Sequence, residues 1–137
     1  MNQLAAYLPA GSTQSNSELV REAYRLRFDC ARVEETACAI GRFLGLLAPE
    51  VELIGASRIW SPCRGRRAAT DALLDAALCW AECSFALEDL RAPEEGRVLA
   101  CGTVLARPAG RSEIHQDPFV DLWTIEAGRA IRIESLS

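Results

Sequence analysis

The sequence contains no lysine, a single histidine and a single methionine in 137 residues. All fifteen basic residues are therefore arginine, a bias that fits a GC-rich genome and carries no chemistry of its own. Nineteen acids outnumber them, for a formal charge of −4. An electrostatic nucleic-acid binder shows a basic excess, so nucleic acid is not an expected partner. No apolar run approaches the ~20 residues that span a bilayer, so no membrane partner is expected either. Phosphate-cradling loops, dinucleotide fingerprints and serine-nucleophile motifs are all missing, and no cofactor is expected. No cysteine pair has CxxC spacing, and one histidine is too little to complete a metal site with Cys79 and Cys83. The opening Met1–Gly11 lacks the basic start, apolar stretch and cleavage site of a signal peptide. The six cysteines (Cys30, Cys38, Cys63, Cys79, Cys83 and Cys101) are therefore expected as free thiols of a cytoplasmic protein, most of them packed as small hydrophobes.

What is present is ordinary for one globular domain: half the residues are apolar and a quarter are charged. Residues 1–16 end in Gly-Ser-Thr-Gln-Ser-Asn and read as a flexible tail, with a helical turn at Asn2–Leu8; residues 17–137 read as the folded domain. Ser15 or Ser17 caps a first helix carrying Leu19, Val20, Ala23, Tyr24 and Leu26 at helical spacing. Asp29 caps a second, with Val33, Ala37, Ile40, Leu44 and Leu47 on one face and Pro49 at its end. Val51–Ile54 is a short strand, and residues 55–66 are a loop. A third helix places Ala69, Leu73, Ala76 and Trp80 on one stripe. After Trp80 the period changes from helical to alternating. Strands follow through Leu87, over Arg97–Arg107 with a bend or bulge at Gly102, over Glu113–Ile125 with an irregularity at Pro118, and over Ala130–Leu136. Helices segregated from a run of antiparallel strands specify an α+β fold. The long bent strands can curl around the three N-terminal helices as a half-open cone with a cavity inside.

Several residues carry potential chemistry. Residues i and i+2 of a strand share a face, so Phe119, Asp121, Trp123 and Ile125 line up together. An acid between two aromatics on an apolar face either sits in a pocket, where desolvation fits it for acid–base work, or pairs with an arginine such as Arg132 on the neighbouring strand. His115 and Asp117 share that parity and form a possible acid–base pair at the mouth, or else an exposed edge. Trp60 in the loop and Trp123 on the strand are candidate pocket walls, with core packing as the alternative. Arg64, Arg66 and Arg67 beside Gly65 either greet an anion at the helix start or are solvated. Val120, Leu122 and Thr124, with Leu99 and Cys101, make the other sheet face apolar enough to suggest a homodimer through the sheet.

Four stretches, FLGLLAPEVEL from Phe43, CRGRRAATDALLDAALCW from Cys63, GRVLACGTVLAR from Gly96 and DPFVDLWTIEAGRAIRIES from Asp117, occur in the order seen in the nuclear transport factor two-like superfamily. The chain resembles its SnoaL-like domains over residues 17–136. The resemblance implies a cone-shaped α+β half-barrel, usually dimeric, that binds a hydrophobic, cyclic or polyketide-like small molecule. Relatives include cyclases and isomerases that do cofactor-free acid–base chemistry, and members without known activity. In the ketosteroid isomerase branch an aspartic acid on the strand of Asp121 serves the developing oxyanion, beside a tyrosine from the first helix, here Tyr24. Cyclases of the SnoaL type place a histidine–aspartate arrangement in the cavity, which keeps His115 as a third catalytic candidate. The isomerase general base has no counterpart: Leu53 stands at its position, and Glu52 is one residue away, on the other face. Catalytic roles are therefore expected of Asp121, Tyr24 and His115, and ligand contacts of Trp60, Phe119, Trp123 and Asp117. The alternative is a non-catalytic ligand-binding or dimerisation module.

Overall fold

A computed structural model describes residues 13–55, 57 and 60–136. Most of the expected tail, including the turn at Asn2–Leu8, lies outside the described residues. Helix α1 runs Thr13–Ala23, so its first turn occupies the last residues assigned to the tail. Asn16, though polar, is 1% exposed, on a helix that packs against the sheet and also buries Val20 and Ala23.

The chain then forms a short strand, β1 (Phe28–Asp29), before helix α2 (Val33–Gly45). Asp29 is not the helix cap. The N-cap is Arg32, with no side-chain capping bond. Asp29 instead accepts from the Ala31 amide at 2.9 Å, and its backbone exchanges hydrogen bonds with the Thr36 hydroxyl at 3.0 and 3.1 Å. Pairing of Phe28 and Asp29 with Cys83 and Glu82 holds the backbone extended there. The buried stripe of α2 is Thr36, Ala39, Ile40 and Phe43, while Val33 is 71% exposed; the face is rotated by about one residue from the expected one.

Strand β2 (Leu47–Ile54) starts directly after α2 and contains Pro49. Its register against β7 is irregular between Leu47 and Glu52, where proline has no amide to donate. Strand β3 (Cys63–Arg64) leads through Gly65, at φ 94°, into helix α3 (Arg66–Cys79). Arg66 is half-buried and donates to the Leu47 carbonyl, which makes it a structural pin; Arg64 and Arg67 are exposed. The long strands β4 (Trp80–Glu94), β5 (Arg97–Pro108), β6 (His115–Glu126) and β7 (Arg129–Ser135) follow. The sheet order is β1-β4-β5-β6-β7-β2-β3, with only β2–β7 parallel.

The architecture is an α+β half-barrel: one curved seven-stranded sheet with three helices, among the described residues. The helices do not form the expected N-terminal block. Strands β1, β2 and β3 separate them, and α3 lies in mid-chain. No helix among the described residues is long and apolar enough to cross a membrane. The expectation of buried thiols also fails. Cys30, Cys38 and Cys79 are exposed and only Cys83 is buried, because helical spacing puts Cys38 and Cys79 off the buried stripes. Among the described residues no disulfide joins the six cysteines.

Alternation along β5 buries Val98, Ala100, Gly102, Val104 and Ala106 on the inner face. Gly102 sits where β4 shifts register between Leu87 and Asp89. A Cβ there would collide with the Ala86 carbonyl and come within 2.7 Å of the Phe119 ring. The bare backbone lets that aromatic lie flat inside the cone. Gly102→Ala is therefore expected to cost about 1–3 kcal/mol through overpacking, measured by urea denaturation. An unchanged midpoint and slope would show that the contact yields freely.

Candidate functional site

The inner face of β6 carries Phe119, Asp121, Trp123 and Ile125, which are 6%, 4%, 0% and 3% exposed. Alternation alone brings Asp121 inside. Tyr24 reaches it from the end of α1. The Tyr24 amide still bonds back to the Val20 carbonyl at 3.3 Å, so the ring projects from the last helical turn onto the sheet. Its hydroxyl donates to Asp121 Oδ2 at 2.6 Å. The Trp123 indole Nε1 donates to the same hydroxyl at 2.8 Å, and Ser135 Oγ on β7 donates to Asp121 Oδ1 at 2.9 Å.

This network has a direction. An indole N–H only donates, so the Tyr24 oxygen is committed as acceptor and its proton must go to Asp121. Ser135 is the member whose hydroxyl can turn round. A proton arriving at Asp121 therefore belongs on Oδ1, with Ser135 switching from donor to acceptor.

Aromatic rings surround the acid. Tyr24 stacks on Phe119 with centroids 4.9 Å apart and meets Phe85 and Trp123 edge-on at 5.5 and 5.8 Å. Phe43 continues the cluster from Trp123 to Trp60. Burial raises the Asp121 carboxyl above its ordinary value; the Tyr24 and Ser135 hydrogen bonds oppose that shift without cancelling it. Tyr24 is pushed well above the ordinary phenol value, first by burial and then by the Asp121 charge. Arg132 does not compensate Asp121. It pairs with Glu134 at 3.5 Å and Glu52 at 3.8 Å on the outer face.

The structure thus brings together Asp121, Tyr24, Phe119 and Trp123, with Trp60 at the far end of the aromatic chain. It does not bring in His115, which is exposed at the start of β6, six residues and roughly 20 Å of strand from Asp121. Asp117 is half-buried beside Val104 on the same face, short of the network. Leu53 is buried and points inward, and Glu52 faces out. Trp60 is buried, held by a tight reciprocal turn with Ser57 at 3.2 Å, while its flanking Ala56, Arg58 and Ile59 are outside the described residues. Of the expected ligand contacts, Trp60, Phe119 and Trp123 are packed rings, and none of them, nor Asp117 or Asp121, lines the cavity of about 680 Å³ found at the opposite end of β5.

Ser135 escaped the sequence reading. A regular hairpin from the Glu126–Arg129 pair would set Glu134 opposite Asp121 and Arg132 opposite Trp123. A register shift between Thr124 and Ile125 moves every later pair by one, so Ser135 faces Asp121 and Ile133 faces Trp123. That one-residue bulge keeps Arg132 and Glu134 out of the cone.

No family model and no curated protein sequence matches the chain. Solved structures do. An NTF2-like protein of unknown function from Burkholderia pseudomallei superposes with a TM-score of 0.68 at 20% identity over 88% of each chain. TerC, co-crystallised with polyporic acid, gives 0.69 at 20% identity over 89% of this chain and 90% of its own. A protein from Jannaschia sp. assigned as a SnoaL-like polyketide cyclase gives 0.67 at 14% identity over 90% and 85%. The fold is that of the NTF2-like and SnoaL-like proteins.

The carboxyl environment sets a sign. A raised folded pKa means the folded state holds its proton longer than the unfolded chain. Stability is then full below the ordinary carboxylate range and falls as pH rises through the raised value, at up to ~1.4 kcal/mol per pH unit inside that window. Thermal melts from pH 4 to 8 should show this contribution in the wild type and lose it in Asp121→Asn. Tyr24→Phe strands Asp121 Oδ2 and the Trp123 N–H, and is expected to cost about 1–3 kcal/mol. An asparagine variant clearly less stable than wild type at pH 7 would mean that a paired carboxylate charge holds the fold.

Proposed function

We propose that this protein binds a hydrophobic, cyclic or polyketide-like small molecule inside the cone and that Asp121, assisted by Tyr24, does cofactor-free acid–base chemistry on it. The observation that carries the reading is the buried Tyr24–Asp121 hydrogen bond, with no ion pair to Asp121 among the described residues. A lone carboxyl in apolar surroundings is an expensive way to hold a fold, and its raised pKa brings it toward the range in which a carboxyl both gives and takes protons. The solved relatives support the ligand class: one of them was crystallised with polyporic acid and another is assigned as a polyketide cyclase.

In this reading a ligand carbonyl takes the place of Asp121 as the partner of the Tyr24 hydroxyl, and Trp123 keeps that hydroxyl oriented. Enolate charge developing on the carbonyl oxygen is stabilised by the phenol. Asp121 removes or returns the proton, since the position on β2 where the isomerase branch keeps its base is Leu53. Phe119 and Phe85 must rotate or part to admit the ligand, because their rings pack around Tyr24. His115 and Asp117 sit toward the rim, where they meet the polar end of a long ligand. We assign the protein to the cytoplasm, from its thiols.

The second reading, a non-catalytic module that binds ligand or dimerises, draws on the same rings: Tyr24 is committed to Asp121 and stacked on Phe119 at 4.9 Å. Deuterium exchange at the α-carbon of cyclic ketones, followed by NMR, separates the two. Wild type should catalyse exchange, and Asp121→Asn should reduce it by about 10²–10⁴-fold, the usual worth of a positioned acid–base group. Ligand binding by both proteins with exchange by neither favours the module.

Dimerisation is a separate expectation. Leu99, Cys101, Val120 and Leu122 of the outer face are only half-buried within one chain, and a patch of that character is covered in most proteins. Light scattering should report twice the 15.0 kDa chain mass; a 15.0 kDa particle at micromolar concentration would remove the dimer.

A further inference from the structure

The cavity of about 680 Å³ lies between the α1–α2 connection, one side of α2 and the ends of β4 and β5. It is remote from Asp121. The strand partner of Asp121 is Ala100, and the cavity begins at Leu105, five residues or about 17 Å further along β5. The volume is that of a site for a drug-sized molecule.

Its lining is unlike the rest of the chain. Five arginines (Arg25, Arg27, Arg32, Arg42 and Arg107) face three carboxylates, Asp29, Glu35 and Glu82, in a protein whose net charge is −4. Three of the arginines are already engaged. Arg25 pairs with Glu22, which is outside the cavity, at 2.7 Å, Arg32 with Glu35 at 3.4 Å and Asp29 at 3.9 Å, and Arg107 with Glu82 at 3.0 Å. All three cavity carboxylates are thereby answered. Arg27 and Arg42 form no ion pair among the described residues; because Arg32 is shared by two carboxylates, the five arginines exceed the acids, Glu22 included, by one positive charge. Arg42 lies two turns beyond Glu35 on the side of α2 that also presents Ala39, so its guanidinium is carried on a rigid helix rather than on a loop. The floor is apolar: Phe28 and Cys83 are 1% exposed and Ala106 is 1% exposed. Ile114, 59% exposed, stands at the rim as a large apolar side chain left in water.

The geometry points to a binding site for an organic anion with an apolar body, an aromatic or polycyclic carboxylate or sulfonate, held by Arg27 and Arg42 at its charged end and by Phe28, Ala106 and Ile114 along its body. Guanidinium forks suit planar carboxylate and sulfonate oxygens. An inorganic anion would leave the apolar floor unused, and a neutral hydrocarbon would leave Arg27 and Arg42 without an ion pair. This site is distinct from the acid in the cone interior, and it does not depend on that acid being catalytic.

Fluorescence titration of the purified protein with anilinonaphthalene sulfonate and with its uncharged counterpart phenylnaphthylamine tests the inference. The sulfonate should bind about tenfold tighter, a preference that shrinks as salt rises. The double variant Arg27→Gln/Arg42→Gln should lose most of that preference, about five- to tenfold in sulfonate affinity, with phenylnaphthylamine affinity unchanged. Both arginines are exposed, and matching melting curves verify that the variant folds. Ala106→Phe fills the floor and should weaken both probes. Asp121→Asn should leave sulfonate binding as in wild type. Equal affinity for the two probes, no loss in the arginine variant, or loss in Asp121→Asn alone would overturn the site, the last by moving the anion to the cone interior. None of these outcomes bears on proton exchange at Asp121, so this site and the acid–base reading fail separately.

Discussion

The hydrogen bond between Tyr24 and Asp121 joins the last turn of the first helix to the middle of the sheet, and the cone interior is arranged around it. The two residues are 97 apart in sequence. One end of the bond is fixed by Trp123, whose indole proton can only be given away. The other is fixed by Ser135 across the β6–β7 ladder. Each partner is then boxed by rings: Phe119 beneath Tyr24, Phe85 at its edge, Phe43 against Trp123. A polar chain of four residues inside an apolar shell is satisfied at every heavy atom it was given, so removing any member leaves a neighbour without its partner. The network therefore specifies how α1 docks on the sheet as well as what chemistry the interior offers.

Alternation made most of this legible. Once β6 is recognised as a strand, Phe119, Asp121, Trp123 and Ile125 must share a face, and the apolar company of that face says it is the inner one. The helical spacing of Val20 and Ala23 likewise points Tyr24 at the sheet. Local pattern does not report interruptions of register. The bulge between Thr124 and Ile125 has no strong sequence mark, and without it Glu134 rather than Ser135 meets the acid. The pairing of Asp121 with an arginine on the neighbouring strand was a reasonable expectation for the same reason: Arg132 is on that strand, and only the bulge turns it outward to Glu52 and Glu134.

The strands β1 and β3 were illegible because each is two residues long and exists only through its partner. Phe28 and Asp29 extend because Cys83 and Glu82 are there to receive them; nothing in the dipeptide itself specifies a strand. The rotation of the α2 face has a similar origin. Thr36 is drawn inside by its reciprocal bonds to the Asp29 backbone, which compensate a buried hydroxyl. That shift of about one residue sends Val33 into water and brings Ala39 and Phe43 in beside Ile40. Hydrophobic periodicity treats threonine as neutral, so it places the stripe one residue off.

The same rotation links the two halves of the molecule's chemistry. With Thr36, Ala39, Ile40 and Phe43 buried, the side of α2 bearing Glu35 and Arg42, with Arg32 at its N-cap, turns toward the ends of β4 and β5. A helix set by the expected stripe would have carried those charges elsewhere. One hydroxyl anchored to Asp29 thus decides which residues of α2 support the aromatic interior, through Phe43, and which confront the arginine-rich cavity. The interior holds a carboxyl that burial drives toward its neutral form, and the cavity gathers cations beyond the number of acids present to answer them. These are opposite electrostatic settings in one small domain. They stay independent because the inner face of β5 between Ala100 and Leu105 is closed by Gly102 and Val104, with the Phe119 ring laid over the glycine, so neither region needs to balance the charge of the other.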